Sequence, residues 1–480
     1  MKHIVFFSCI SLLFNNLVTA QDKWDLKRCV EFAVANNISV KQADIQARIS
    51  ELTLNQSRLQ QYPNVSFSNS TGISSGRSID PTSNQFTNQQ LLFSQFNLNT
   101  SVTIFNWFNL KNTIAGNQLS AEAARADIEK LKNDISLNVA SGYLLVLVSK
   151  EQANIANVAV QQTLQSLDNT RKRVEAGSLP ELNLAELEAQ LARDSSTLIT
   201  ALASIQQNTL QLKALLNLDA AVPFEVETPP LDKIPVESLA DLQPEIVYGL
   251  ALANLPQQKI NNLRIQAAHK YLDASKAAMY PSIAAFGGMG TNYANNKIPN
   301  FTQQSTGAFL PTPAKVSISG TDYFVQTPVV NTIITTSRTP IGTQISDNFR
   351  QNVGISINVP IFNNGFGKTQ WQKNKLTVQN LELQKEQAER TLKQDIYKSY
   401  TDATTAVQKY NAGVKSVSTA EKAYNFAQKR YDVGLLSTID FLTNQNNLTR
   451  SKLELALAQV DYVFRLKLLE FYKGQGIKLQ

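Results

Sequence analysis

The chain has 480 residues, of which 17% are charged, with a formal net charge of +7, two cysteines and two histidines. The basic excess is interleaved with acids, which argues against nucleic acid as a partner. With His269 the lone histidine beyond residue 20 and no metal-type cluster or phosphate-cradling glycine loop, an enzyme, a metal or a cofactor has no chemical basis in the sequence.

Residues 1–20 read as a secretory leader, with Lys2 as its positive start, an apolar run over 4–14 and small residues at Val18-Thr19-Ala20. Cleavage is expected after Ala20, and the apolar run is too short for a membrane anchor. Cys9 lies in the leader, so Cys29 is the single mature cysteine; no internal disulfide is possible, and a buried thiol on a helix face is expected. No later stretch reaches 18 apolar residues, so no membrane helix is expected.

A short helix is expected over 38–61. Strands are expected over 64–73 and 95–105, the second with Phe96, Leu98, Val102 and Ile104 on one face and amides and hydroxyls on the other. A strand of about ten residues with one apolar and one polar face suits a barrel wall, lipid outside and water inside. Residues 74–94 read as a long polar loop. Residues 109–176 contain almost no glycine or proline and read as one long helix, ending at Ala176-Gly177-Ser178-Leu179-Pro180, where glycine stops a helix and proline can start the next. The return helix covers 181–217. A proline-rich linker, 218–242, joins two halves, 21–217 and 243–475. The second half repeats the order: short helix 256–279, strand 282–293, long loop 294–347 with a small ribbon around Val329–Val330 and Ile333–Ile334, strand 349–361, long helix 365–433 and return helix 438–472.

The halves are copies. Residues 96–218 recur at 353–475 with a constant offset of 257 and no gap: Phe105-Asn106 returns as Phe362-Asn363, Lys172-Arg173 as Lys429-Arg430 and Gly177 as Gly434. A register slip would rotate every later side chain off its face, so a gap-free match this long points to rigid rods. In the second rod Ala403, Val407, Tyr410, Val414 and Val417 form a coiled-coil seam. Four strands cannot close a barrel, and open edges are not tolerated in lipid, so closure is expected from further copies of the chain.

Two words carry a resemblance: Pro360-Ile361-Phe362-Asn363-Asn364-Gly365 at the strand-to-helix junction, and Tyr431-Asp432-Val433-Gly434-Leu435-Leu436-Ser437-Thr438-Ile439-Asp440-Phe441-Leu442 at the second turn. In this order, behind a leader and duplicated, the chain resembles the TolC-like outer-membrane efflux protein family over its whole mature length. The resemblance implies a mainly α protein with membrane β-structure: a homotrimer whose twelve strands form one β-barrel in outer-membrane lipid and whose twelve helical columns form an α-barrel across the periplasm. It implies a passive channel-tunnel of a tripartite efflux or secretion system, joined by a periplasmic adaptor and an inner-membrane transporter. By the same pattern Asp440 faces the constriction at the tip, Thr443 stands where the family's second acid ring falls, Leu436 where its latching arginine falls and Asn183 where a tip carboxylate falls. Tyr431 is retained, and Glu186 is an acid near Asn183. Ala176, Gly177, Ser178, Leu179, Val433, Gly434, Leu435 and Ser437 become the adaptor contact.

Plainer roles stand beside these. Asp440 suits a helix start through the helix dipole, and Tyr431 suits helix packing. A coiled-coil structural or adhesive surface protein is the alternative function, although such a stalk has no need of two alternating strand pairs per chain. An uptake porin has no need of the rods.

Overall fold

A computed structural model describes residues 23–79, 85–228, 236–295 and 297–474. The leader, Asp80-Pro81 of the first loop and residues 229–235 of the linker lie outside the described residues. In chain order the elements are α1 (Leu26–Asn36), α2 (Ile38–Leu59), β1 (Asn64–Ile79), β2 (Phe86–Phe105), α3 (Asn109–Glu175), α4 (Glu181–Leu216), α5 (Pro244–Asn254), α6 (Pro256–Ala277), β3 (Ser282–Ala294), β4 (Ile298–Ile318), β5 (Thr321–Ser337), α7 (Ile341–Asp347), β6 (Arg350–Asn358), α8 (Phe366–Asp432) and α9 (Thr438–Tyr472). At 1.5 Å rise per residue, the 67 residues of α3 and of α8 each extend about 100 Å. No helix among the described residues is long and apolar enough to cross a membrane.

The chain forms two compact units. The first takes the described parts of Met1–Leu54, Gly116–His269 and Lys375–Gln480 and is helical. Its main core joins Leu26, Cys29 and Ala33 of α1 to Val139, Tyr143 and Leu147 of α3 and to Leu212 and Leu216 of α4. Asp25 caps α1 by accepting from the backbone N–H of Arg28 at 2.7 Å. The segment after α4 is sewn onto this core: Tyr143 donates its hydroxyl proton to the carbonyl of Glu227 at 2.7 Å, Lys150 donates to that of Val226 at 2.7 Å, and Trp24 exchanges backbone hydrogen bonds with Glu225 and Glu227. Cys29 is fully buried, and burial, with Asp25 adding to it, pushes its thiol up to about 12. A second core packs Val247 and Ala251 of α5 against Ile396 and Ala403 of α8 and Leu466 and Leu469 of α9.

The second unit, Asn55–Ala115 and Lys270–Asn374, carries the strands. They form an antiparallel sheet in the order β1-β2-β3-β6, which leaves β1 and β6 as open edges among the described residues. Its register lines Phe67, Leu98 and Met289 across one face, with Val353 and Ile355 further along it, while Ser66, Asn99, Gly288 and Asn352 line the other. The apolar row is exposed: Val353 is 88% exposed and Phe67 and Ile355 are each 68% exposed. Near the strand-to-helix junction Trp107 packs with tilted rings at 5.1 Å against Tyr280 and at 5.5 Å against Phe105, an aromatic group of the kind found at membrane interfaces.

The strands depart from the sequence reading in length. The first hairpin continues to Ile79 and resumes at Phe86, so most of the expected loop 74–94 is paired strand. Ser74, Ser75 and Gly76 carry no apolar alternation, and it is cross-strand pairing with Leu91, Gln90 and Gln89 that holds them extended. β6 ends at Asn358, before Pro360, which cannot donate to a ladder. The expected loop 294–347 contains a ribbon of 21 and 17 residues, β4 and β5, closed by the two-residue turn Ser319-Gly320 with φ of 54° and 87°. Short α7 lies against β3 where β6 no longer pairs with it. There Gln344 replaces the missing strand, accepting from the N–H of Ala294 at 3.0 Å and donating to its carbonyl at 2.9 Å.

Candidate functional site

The two helical turns are the positions to which the sequence assigned contacts and a gate. They share one backbone solution. Gly177 and Gly434 adopt φ of 73° and 79°, the left-handed region that glycine enters without a Cβ penalty. Gly177 donates to the carbonyl of Val174 at 2.8 Å and Ser178 to that of Arg173 at 2.9 Å; Gly434 donates to Tyr431 at 2.9 Å and Leu435 to Arg430 at 2.8 Å. Both bonds of the first turn recur in the second at the offset of 257, and each set is a Schellman cap.

Of the contact residues, Ala176, Gly177, Ser178, Val433, Gly434, Leu435 and Ser437 are exposed and Leu179 is half-buried. Val433 and Leu435 are 67% and 69% exposed, and Leu182 and Ile439, a pair at the repeat offset, are 66% and 61% exposed. Such large apolar side chains on helix turns need a partner surface to gain burial.

The gate residues divide into two environments. Asp440 and Thr443 are exposed near the start of α9, three residues apart and therefore on one side of it. Asp440 is also half of a reciprocal cap: its N–H donates to Ser437 Oγ at 3.1 Å, and that hydroxyl donates back to the carboxylate at 2.7 Å. Thr443 donates to the carbonyl of Ile439 at 2.8 Å. Glu186 is half-buried on α4.

Tyr431, by contrast, is buried. Its ring stacks on Phe441 at 4.6 Å and 12°, and its hydroxyl lies 2.8 Å from Thr170 Oγ1 and 3.4 Å from Thr438 Oγ1. Leu167, Leu187, Tyr424, Phe441, Leu442 and Leu448 complete this core, with Leu436 packed at its edge. Arg173 donates to the carbonyls of Tyr431 at 3.1 Å and Asp432 at 3.4 Å, a cation placed on the C-terminal end of α8. One layer further in, Gln445 donates to Thr163 Oγ1 at 2.7 Å, Thr163 donates to Asp194 at 2.7 Å, and Gln190 donates to Asp194 at 2.8 Å and to Asn446 at 3.1 Å.

Thr170, Arg173, Thr163 and Phe441 thus tie the first copy to the second, and sequence reasoning did not single them out. The available signal was their place: Arg173 and Thr170 stand four and seven residues before Gly177, on the side of α3 that the turn brings round.

The chain is 23% identical to the outer membrane protein TolC of Escherichia coli strain K12 over 68% of its own length and 58% of that protein's. It is 20% identical to the outer membrane efflux protein BepC of Brucella suis over 75% of its length and 67% of that protein's. In fold it matches the outer membrane protein VceC of Vibrio cholerae with a TM-score of 0.73, 16% identity and coverage of 94% of this chain and 97% of that one. The family model described as outer membrane efflux protein matches residues 30–218 and 326–474, which hold both long rods and both glycine turns. The chain belongs to the outer membrane efflux protein family, which places it in the outer membrane and outside the enzymes.

Proposed function

We propose that three copies of this chain form a channel-tunnel that conducts substrates outward from an inner-membrane transporter and a periplasmic adaptor, after cleavage of the leader behind Ala20. The observation that carries this reading is the four-stranded sheet with an exposed apolar face and two open edges. Such a sheet is stable in lipid only if its edges pair, and four strands from each of three copies, twelve in all, close one barrel of adequate size. In this reading residues 64–73, 95–105, 282–293 and 349–361 supply the membrane wall, and the rods continue it as twelve helical columns.

The exposed apolar turns, Val433-Gly434-Leu435 and Ala176-Gly177-Ser178-Leu179 with Ser437, are the adaptor's contact. Asp440 and Thr443 face the narrowest point, with Tyr431 holding the tip closed and Glu186 lending negative charge. Three Asp440 carboxylates around one axis share a field that favours cations.

Mass measurement in mild detergent tests the assembly: a trimer is expected, and a stable monomer inserted in bilayers overturns the reading. Single-channel recording tests the gate. Asp440→Asn should weaken cation preference and Thr443→Asp should strengthen it, whereas unchanged selectivity in Asp440→Asn reduces Asp440 to the helix cap it forms with Ser437. Gly434→Trp should abolish adaptor cross-linking while the trimer survives; retained cross-linking removes the turn from the contact.

A further inference from the structure

The ribbon of β4 and β5 is paired from Ile298 with Ser337 to Ile318 with Thr321, and it touches no other element among the described residues. An isolated two-stranded hairpin is only marginally stable in water. This one carries large apolar side chains, set among polar ones, on both sides. Alternate residues of β5 and their partners place Phe301, Phe309 and Phe324 on one face and Leu310, Val316 and Tyr323 on the other, each more than half exposed.

Several observations narrow what covers it. A membrane is a poor cover, because a ribbon lying in lipid would leave two rows of backbone groups unpaired. Extension by strand addition is disfavoured as well. Pro299, Pro311 and Pro313 of β4 and Pro328 of β5 remove donors, which blunts the edges and leaves the faces as the contact surface. A single partner seated on one face would leave the other in water, whereas in a threefold ring every ribbon has a neighbour on each side. Charge permits that crowding: Lys315 and Asp322 are the only charged residues over 298–337, and they pair with each other at 3.7 Å. The ribbon also leaves the sheet from β3 and returns through α7 to the edge strand β6, at the end of the sheet away from the strand-to-helix junctions. β4 lies outside the residues matched by the family model, whereas β5 lies within them from residue 326 onward.

We infer that the ribbons of three copies pack face against face around the trimer axis, two strands from each and six in all, forming an outer collar that narrows the exit. The inference rests on the trimer proposed above. In a ring, the Phe309 face of one copy meets the Leu310 face of the next at the same height.

Two tagged chains, Phe309→Cys and Leu310→Cys, each in a Cys29→Ala background, are co-expressed and treated in membranes with a bifunctional maleimide spanning about 10 Å, the spacing of packed sheets. The expected result is a covalent heterodimer from the mixture and none from either chain alone. An intact trimer by mass without that heterodimer overturns the collar and leaves the trimer standing, while a monomer overturns both. A cross-link to a species of another mass assigns the ribbon to a foreign partner and overturns the inference, as does quenching by brominated lipid of a bimane attached at Phe309→Cys. Replacement of residues 299–336 by a short Gly-Ser turn should keep the trimer and raise single-channel conductance; unchanged conductance means the ribbons do not narrow the exit.

Discussion

At the tip of the first copy Ser178 donates to the carbonyl of Arg173 within its own turn, and Pro180 opens the return helix with no side-chain cap. At the tip of the second, Ser437 and Asp440 cap the return helix reciprocally, and Tyr431 reaches across to Thr170 of the first copy. The backbone bonds of the two turns are the same, yet Val174 stands where the second copy has Tyr431, and Arg173 crosses between copies while Arg430 stays with the carbonyl of Leu435 in its own turn. The strand-to-helix junctions differ in the same way. Trp107-Phe108 and Asn364-Gly365 stand at the repeat offset, and all four residues have positive φ, between 52° and 75°. Asn and Gly tolerate that backbone, whereas an aromatic residue there costs about 1–2 kcal/mol. Packing of Trp107 on Tyr280 and Phe105 offsets part of it. Duplication preserved the path of the chain, and divergence altered what the side chains on it hold.

The largest expected break in that comparison is at Tyr431. Truncation of a buried aromatic costs about 3–5 kcal/mol, so Tyr431→Ala should lower the unfolding midpoint in detergent far more than Val174→Ala, for which about 1 kcal/mol is expected. Equal losses would mean that the two positions carry equal packing. Tyr431→Phe isolates the hydroxyl and should cost about 1 kcal/mol through the bond to Thr170, a loss that Thr170→Val should abolish in a double-mutant cycle.

The glycines test what the copies share. Gly177→Ala meets no atom and Gly434→Ala meets only the Arg173 guanidinium at 3.4 Å, so both should cost about 1–2 kcal/mol through the left-handed backbone. A clear difference between them in helical circular dichroism melts would show that one turn is held by more than its backbone.

Next come the caps. Ser437→Ala removes a helix cap and should cost about 1 kcal/mol, whereas Ser178→Ala should cost only about 0.3 kcal/mol because its hydroxyl serves an exposed carbonyl. Amide hydrogen exchange in the first turn of α9, faster in Ser437→Ala and unchanged in Ser178→Ala, checks this.

The arginines should give the smallest effect. Arg173→Ala should lose about 0.5 kcal/mol and Arg430→Ala close to nothing, since the first bonds two carbonyls of the other copy from a half-buried site and the second makes one long bond in solvent. If Arg430→Ala is the more damaging, the crossing contact is not what joins the turns.

The rods were legible because Gly and Pro are nearly absent over 109–176 and 365–433, and α3 and α8 begin and end within two residues of those bounds. α1 and α5 were not. Each is 11 residues long and is followed after one residue by another helix, so neither spans enough turns to display its period. Of the ribbon only the stretch around Val329–Val330 and Ile333–Ile334 was legible; its full length was not, because its prolines read as loop and residues as far apart as Ile298 and Ser337 had to meet before they could pair. At the tip the glycine turns were readable one copy at a time, whereas the partnership of Tyr431 with Thr170, 261 residues away, was not.

The sequence by itself determined the duplication, through a gap-free self-match at an offset of 257, and the long helices, the two glycine turns and the alternating faces of the strands, because each of these follows from backbone preference or from periodicity within a few turns of chain. Only the tertiary structure decided that Tyr431 lies in a core while Asp440 and Thr443 remain in solvent, that Ser437 caps α9 and holds the Asp440 carboxylate, that Arg173 crosses between copies, and that β4 pairs with β5 along its whole length. Those outcomes depend on which distant groups arrive at hydrogen-bonding or packing distance, and local propensity carries no record of that.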